Sequence, residues 1–288
     1  MSPNTQTVDD EITKGRSSDG HNLYRLGSDT YLIDESNPEQ TIIYYKWFCT
    51  TDFKDLHRTQ FSNRSYEFNS EQDLTLALEK RGHHLKQVRG LNRKMCFQSF
   101  GSTPWGAVQN ATSYGNADIV RLDTASHGGF KISPSLNKQI PAQVRNNNGF
   151  YEEDCEWAIV ATVFPQWFTD YENQLAESKI RDSYPDYWET LHNRKLQPGE
   201  SYERDKSAFN DQHAGNYVVI SAISSSYVEN MVEVIATLGG VREHDTPEKR
   251  FLVPTNEYRN RGEFGFIIDL NKHDEYNGKS DYVRYHTY

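Results

Sequence analysis

Cysteine is scarce: only Cys49, Cys96 and Cys155 occur in 288 residues, with no C-x-x-C spacing. This excludes a disulfide framework and a structural zinc site, and a reducing compartment is the expected setting. Long apolar runs are also missing. The most apolar stretch, Ala158 to Phe164, is far shorter than the roughly 20 residues that span a bilayer. The start, MSPNTQTVDDEITKG, lacks the apolar segment of a signal peptide, so a protein of the cytoplasm that is not exported is expected. Nor is there an excess of positive charge. The formal net charge of -10 opposes generic binding to nucleic acid or anionic membrane, and neither is expected as a direct partner.

Catalytic signatures are absent as well. The chain has no P-loop, G-x-G-x-x-G, G-x-S-x-G or H-E-x-x-H pattern, so nucleotide hydrolysis, dinucleotide chemistry and a metal centre are not indicated. No cofactor is expected.

What is present is aromatic. Tyr, Phe and Trp make up 13% of the chain, with 18 Tyr, against a mean hydropathy of -0.84. Large aromatic area per residue argues for a folded core, and Tyr and Trp also suit partner surfaces. Charge is unevenly placed. Tyr151 to Lys206 carries thirteen acidic against six basic residues, whereas Lys80 to Met95 has six basic residues, Lys80 to Lys94, and no acid. Such asymmetry fits a chain that docks onto something charged, or a solvated face.

Along the chain, residues 1–22 are polar without a period that buries a face and are expected to form a flexible arm. YLI from Tyr31 and TIIYYKWFC suit strands. Ser70 to Asp73 resembles a capping box for a helix with Leu74, Ala77 and Leu78 on one face and Gly82 as its stop. These elements form a small α+β unit over 23–100. A main α+β domain over 101–270 follows, with a mixed sheet and packed helices. Its expected elements are a strand at Ile119–Leu122, a tight SHGGF turn, and a helix from about Glu152 to Phe164 with Glu152, Glu153 and Asp154 in its first turn. One or two amphipathic helices and a long exposed loop should occupy 166–213. A strand over Tyr217–Ser224, a helix after Ser226 with Val228, Val232, Ile235 and Leu238 as its stripe, and strands at Phe251–Val253 and Phe264–Ile268 complete it. Residues 271–288, with Tyr276, Tyr282, Tyr285 and Tyr288, read as a C-terminal extension.

His127 precedes Gly128-Gly129, where backbone amides can converge on an anion. Paired with Glu152 or Glu153 it would make an acid/base couple, although a histidine at such a turn more often bonds its own loop. Trp105, between Pro104 and Gly106, is either a packing anchor or an exposed hot spot. Asp182, Tyr184, Asp186, Tyr187, Trp188, Glu189 and Tyr202 lie among charges where no period fully buries them, and these residues are the expected partner surface.

Three blocks in order, TPWGAVQNATSYGNADIVRLDTASHGGFKIS, GFYEEDCEWAIVATVFP and FLVPTNEYRNRGEFGFIID, resemble a bacterial domain of unknown function found in proteins of phages and conjugative plasmids. The resemblance spans about Thr103 to Asp269 and brings no assigned reaction. It implies the cargo of a mobile element, where small acidic proteins neutralise host defence. The resulting expectation is a non-catalytic inhibitor of a host antiviral complex, with a Gabija-type nuclease system as candidate target, acting as a homo-oligomer in the host cytoplasm. The alternatives are an enzyme acting on nucleotide or nucleic acid through His127 and Glu152 or Glu153, and a virion or replication-associated structural protein.

Overall fold

The computed structural model describes residues 11–37, 40–96, 100–115 and 117–282. The fold is α+β, in two compact units divided between Lys179 and Ile180. No helix among the described residues is long and apolar enough to cross a membrane.

The first unit opens with an antiparallel meander, β1 (Ile12–Arg16), β2 (Asn22–Leu26), β3 (Asp29–Asn37), β4 (Gln40–Lys46) and β5 (Asn63–Ser65), in that spatial order. Alternation along β2 and β3 sends Tyr24, Leu26, Tyr31 and Ile33 to one face, where they meet Leu74 and Leu78 of helix α1 (Glu71–Gly90). Leu23 and Leu32 go to the other face, against Cys49, Leu56 and Phe61. The period of 2 thus serves two cores, because both faces of the sheet are covered. Residues 11–22, read from sequence as part of an arm, include β1, which is paired over its full length with β2. Residues 1–10 lie outside the described residues.

Ser70 caps α1 by accepting from the Asp73 N–H (3.1 Å), as expected. Gly82 is not a stop. It is buried inside a helix that continues to Gly90, since Leu85 extends the apolar stripe onto the same core.

A second antiparallel sheet has the order β12 (Phe150–Glu152), β11 (Gly128–Ile132), β10 (Ile119–Asp123), β9 (Asn110–Tyr114), β6 (Lys94–Met95). A two-stranded ribbon, β7 (Ser102–Thr103) with β8 (Gly106–Ala107), carries Trp105. Because β6 pairs with β9, residues before the expected boundary at 100 belong to the sheet after it. The short helix α2 (Pro134–Asn137) follows β11. The helix expected from Glu152 is shorter: Glu152 ends β12, and α3 runs only Trp157–Val163. Proline at 165 ends it, as expected.

Three helices follow, α4 (Asp170–Ser183), α5 (Pro185–His192) and α6 (Tyr202–Gln212). The second unit is then completed by the antiparallel sheet β13 (Tyr217–Ser224), β14 (Met231–Leu238), β15 (Lys249–Pro254) and the single turn of α7 (Thr255–Arg259). The helix expected after Ser226 is β14. Val232, Val234 and Ala236 are buried on alternate positions with Phe251, Val253, Phe266 and Ile268, so the β-branched run serves a sheet and the helical spacing of Val228, Val232 and Ile235 was a coincidence of composition. Phe264–Ile268 forms no regular strand but lies along β13, with Val219 donating to the Phe266 carbonyl and Ile268 to that of Tyr217.

The described part of the C-terminal extension is anchored. Glu233, fully buried on β14, accepts from Arg250 (2.9 Å), the Ser280 hydroxyl (2.6 Å) and the Asp281 amide (3.2 Å). Tyr285 and Tyr288 lie outside the described residues.

Candidate functional site

The motif blocks of the first unit converge on one face of the second sheet. In the register Arg121 stands opposite Phe130 and Thr112, and Ile119 opposite Tyr114, so Tyr114, Arg121 and Phe130 share a face. With Glu153, Phe168 and Glu172 they line a cavity of about 260 Å³.

Two ion pairs dominate its walls. Arg93 grips Glu172 with both terminal nitrogens (2.8 and 2.6 Å), donates to the Trp167 carbonyl (2.9 Å), and lies over the Tyr114 ring at 4.1 Å. Glu172 in turn accepts the Thr169 N–H (2.8 Å) while Thr169 Oγ1 accepts the Glu172 N–H (3.1 Å). That reciprocal pair is the capping box of α4, present in the sequence as Thr169-x-x-Glu172 and overlooked there. The second pair is looser: Arg121 Nε donates to Asp123 at 3.0 Å, and its Nη2 stands 4.0 Å from Glu153 Oε2.

Burial alone would push the Glu172 carboxyl up, but hydrogen bonds from Arg93 and the Thr169 amide outweigh it and hold the group below the usual carboxylate range. Burial raises the Tyr114 hydroxyl, against the pull of Arg93. For Arg121, burial would lower the guanidinium, yet Asp123, Tyr114 and Glu153 leave it raised. Each of these three groups is displaced away from neutrality, the opposite of what a general acid or base working there needs.

The two glycines of SHGGF serve this geometry by close approach. A Cβ on Gly128 would stand 2.8 Å from Glu153 Oε2 and 2.9 Å from the Leu122 carbonyl, and one on Gly129 would collide with the Tyr151 carbonyl and the Trp105 ring. Trp105 packs there, edge-on to Phe150 at 5.8 Å.

His127 is exposed on the β10–β11 turn. Its carbonyl accepts from the Thr124 amide (2.8 Å) and hydroxyl (2.7 Å), so its backbone bonds its own loop. Glu152 is not in a helical first turn: its Oε2 accepts the Asp154 (2.8 Å) and Cys155 (3.3 Å) amides and shapes the turn into α3. Asp154 is exposed beside it. Glu153 alone of the expected acids reaches the cavity, where Arg121 and not His127 is its neighbour.

The residues expected as a partner surface on 182–202 differ in exposure. Tyr187, Trp188 and Glu189 are buried on α5, where the helical period does find an inward face. Trp188 stacks on His192 at 4.2 Å, and Glu189 accepts from Lys195 (2.6 Å) and Arg204 (3.1 Å). Asp182 and Tyr184 are half-buried, while Asp186, paired with Arg204, and Tyr202 are exposed. Among the described residues the most exposed aromatic side chains are Phe48 (87% exposed) and Tyr66 (83%), in the turns that follow β4 and β5, while Trp47 (46%), Tyr171 (47%) and Tyr202 (44%) are exposed to a similar, lesser degree. No group of three or more His, Cys, Asp or Glu among the described residues is placed to hold a metal ion.

Residues 98–214 match the family described as Domain of unknown function (DUF7007). Neither the curated proteins nor the solved structures contain a match to the chain.

Proposed function

We propose that the protein works by occupying a partner and not by turnover. The observation that carries this reading is the set of exposed aromatic side chains beside β4 and β5. Phe48, next to Trp47 at the end of β4, adopts φ 53, a left-handed backbone conformation that a bulky residue rarely takes, and presents its ring to solvent. Tyr66 stands just past β5, the edge strand of that sheet. Large aromatic side chains presented to solvent from turns at a sheet edge are common anchors of a protein interface. The motif blocks support the same reading, since their glycines, Trp105 and Glu152 serve close packing and turn amides.

In its specific form the proposal is a phage or plasmid accessory protein that binds and inhibits a host antiviral complex in the host cytoplasm, with a Gabija-type nuclease system as candidate target. The resemblance of the blocks to domains of mobile elements supports that context. Assembly into a homo-oligomer, which would multiply a modest single contact, belongs to the same reading and is checked by light scattering.

The experiment is titration of a reconstituted nuclease complex while its DNA cleavage is followed. Complete inhibition near one chain per target subunit is expected, with Phe48→Ala plus Tyr66→Ala raising the required concentration by about tenfold or more. The pair His127→Ala and Glu153→Gln should leave inhibition nearly intact. Inactivation of many targets by one chain, lost in the His127/Glu153 variant at unchanged Tm, would establish the enzyme instead.

A further inference from the structure

A second cavity, of about 440 Å³, opens between the first sheet, α1 and the first turn of α4. Its volume falls in the range of small-molecule sites. The walls are aromatic. Tyr31 meets Trp47 (6.0 Å) and Phe68 (6.1 Å) edge to face, and Tyr171 stands against His84 at 5.5 Å. The rim carries Lys80, Arg81 and His84 together with the Glu67 carboxylate, and Arg81 is paired with Asp29 just behind it.

These groups are differently committed. Arg81 is held by Asp29 at 2.8 Å, which fixes the guanidinium while leaving other N–H groups to donate. His84 is positioned by Thr169 through Nδ1 (2.8 Å), so Nε2 is left for a ligand. Lys80 is exposed and has no ion-pair partner among the described residues. Together the lining residues supply aromatic faces for a ring, Lys80, Arg81 and His84 Nε2 for an anion bound in the same cavity, and Glu67 as an acceptor for ring N–H groups.

The geometry points to a nucleotide site: a purine nucleoside phosphate, its base among Trp47, Phe68 and Tyr171 and its phosphates on Lys80, Arg81 and His84. No hydrolysis is implied. Base–aromatic stacking contributes enough that losing one ring weakens binding about tenfold or more. The site shares Trp47 with the exposed aromatic group above, whereas Phe48 and Tyr66, which carry the partner test, do not line it.

The test is calorimetric titration of the full chain with ATP and GTP, set against adenosine, tripolyphosphate and a phosphotyrosine peptide. Saturable binding of ATP or GTP is expected at micromolar to sub-millimolar concentration, with Trp47→Leu weakening both by about tenfold or more. Lys80→Glu should weaken ATP but leave adenosine unchanged. Since Trp47 packs against Tyr31 and Tyr45, Lys80→Glu, on an exposed helix position, carries the test if the Trp47 variant fails to fold. No saturation at millimolar nucleotide, tripolyphosphate binding as tightly as ATP, tighter binding of the phosphotyrosine peptide, or undiminished ATP affinity in Lys80→Glu would each overturn the assignment.

Discussion

Single residues in this protein are constrained mostly by what they touch. Gly129→Ala is expected to lower stability by about 3 kcal/mol or more, because the added Cβ meets the Tyr151 carbonyl and the Trp105 ring, neither of which can swing away. Chemical denaturation checks it; an unchanged midpoint would show that the sheet yields there. Glu172 makes a pH prediction. Its folded-state carboxyl is held below the unfolded value, so its contribution is present above the unfolded pKa, about 4.3, and is lost as pH falls through the lower folded one. Glu172→Gln should therefore be less stable than the parent at neutral pH, with the gap closing below about pH 4. A gap that stays constant with acidification would assign the loss to geometry alone. Several of these constraints were hidden in the sequence. SHGGF announced a tight place, but whether the glycines served an anion or a neighbour depended on where Trp105 and Glu153 came to rest, through pairings remote in the chain.

At the scale of elements, local signals were legible wherever one period was available. β3, β4, β10, β13 and the start of α1 stand where alternation, β-branched content and a Ser70 cap placed them. The failures share a cause. Val232, Ile235 and Leu238 fall on a helical stripe, but the same run also places Val232, Val234 and Ala236 on the alternate positions of a strand, and only pairing on both sides, with β13 and β15, decides for the strand. The same strand explains why the tail is not loose. Glu233, entirely inside, needs Arg250, Ser280 and Asp281 to satisfy its oxygens. Ser280→Ala, which removes a hydroxyl donor to Glu233, combined with Asp281→Ala, which removes the carboxylate that accepts from the Ser226 amide and hydroxyl, is expected to cost about 1–3 kcal/mol and to speed proteolysis beyond Asp269. Cleavage kinetics equal to the parent's would show that the anchor is dispensable. Exposure was misjudged on α5 for a related reason: Tyr187 and Trp188 sit among charges in sequence, yet an eight-residue helix turns them inward and leaves the charges of Asp186, Lys195 and Arg204 around them.

Over the whole molecule, thirty-one basic residues against forty-one acidic ones leave a sequence pI near 5.5. Solubility should pass through a minimum close to that pH and recover on either side, which turbidity across a pH series would detect. The balance was fully legible in composition. Its spatial distribution was not, since the basic stretch after Lys80 divides between Arg93, which is spent on Glu172, and Lys80, which stays unpaired at a cavity.

Arg93 also bears on how this lineage can be cut and joined. The family match begins at residue 98, beyond both Arg93 and the strand β6 that closes the edge of its sheet. A fragment trimmed to 98–214 would bare the β9 edge and leave the Glu172 carboxylate without its Arg93 counter-ion, so its sheet would lose an edge strand and its α4 cap a charge partner together.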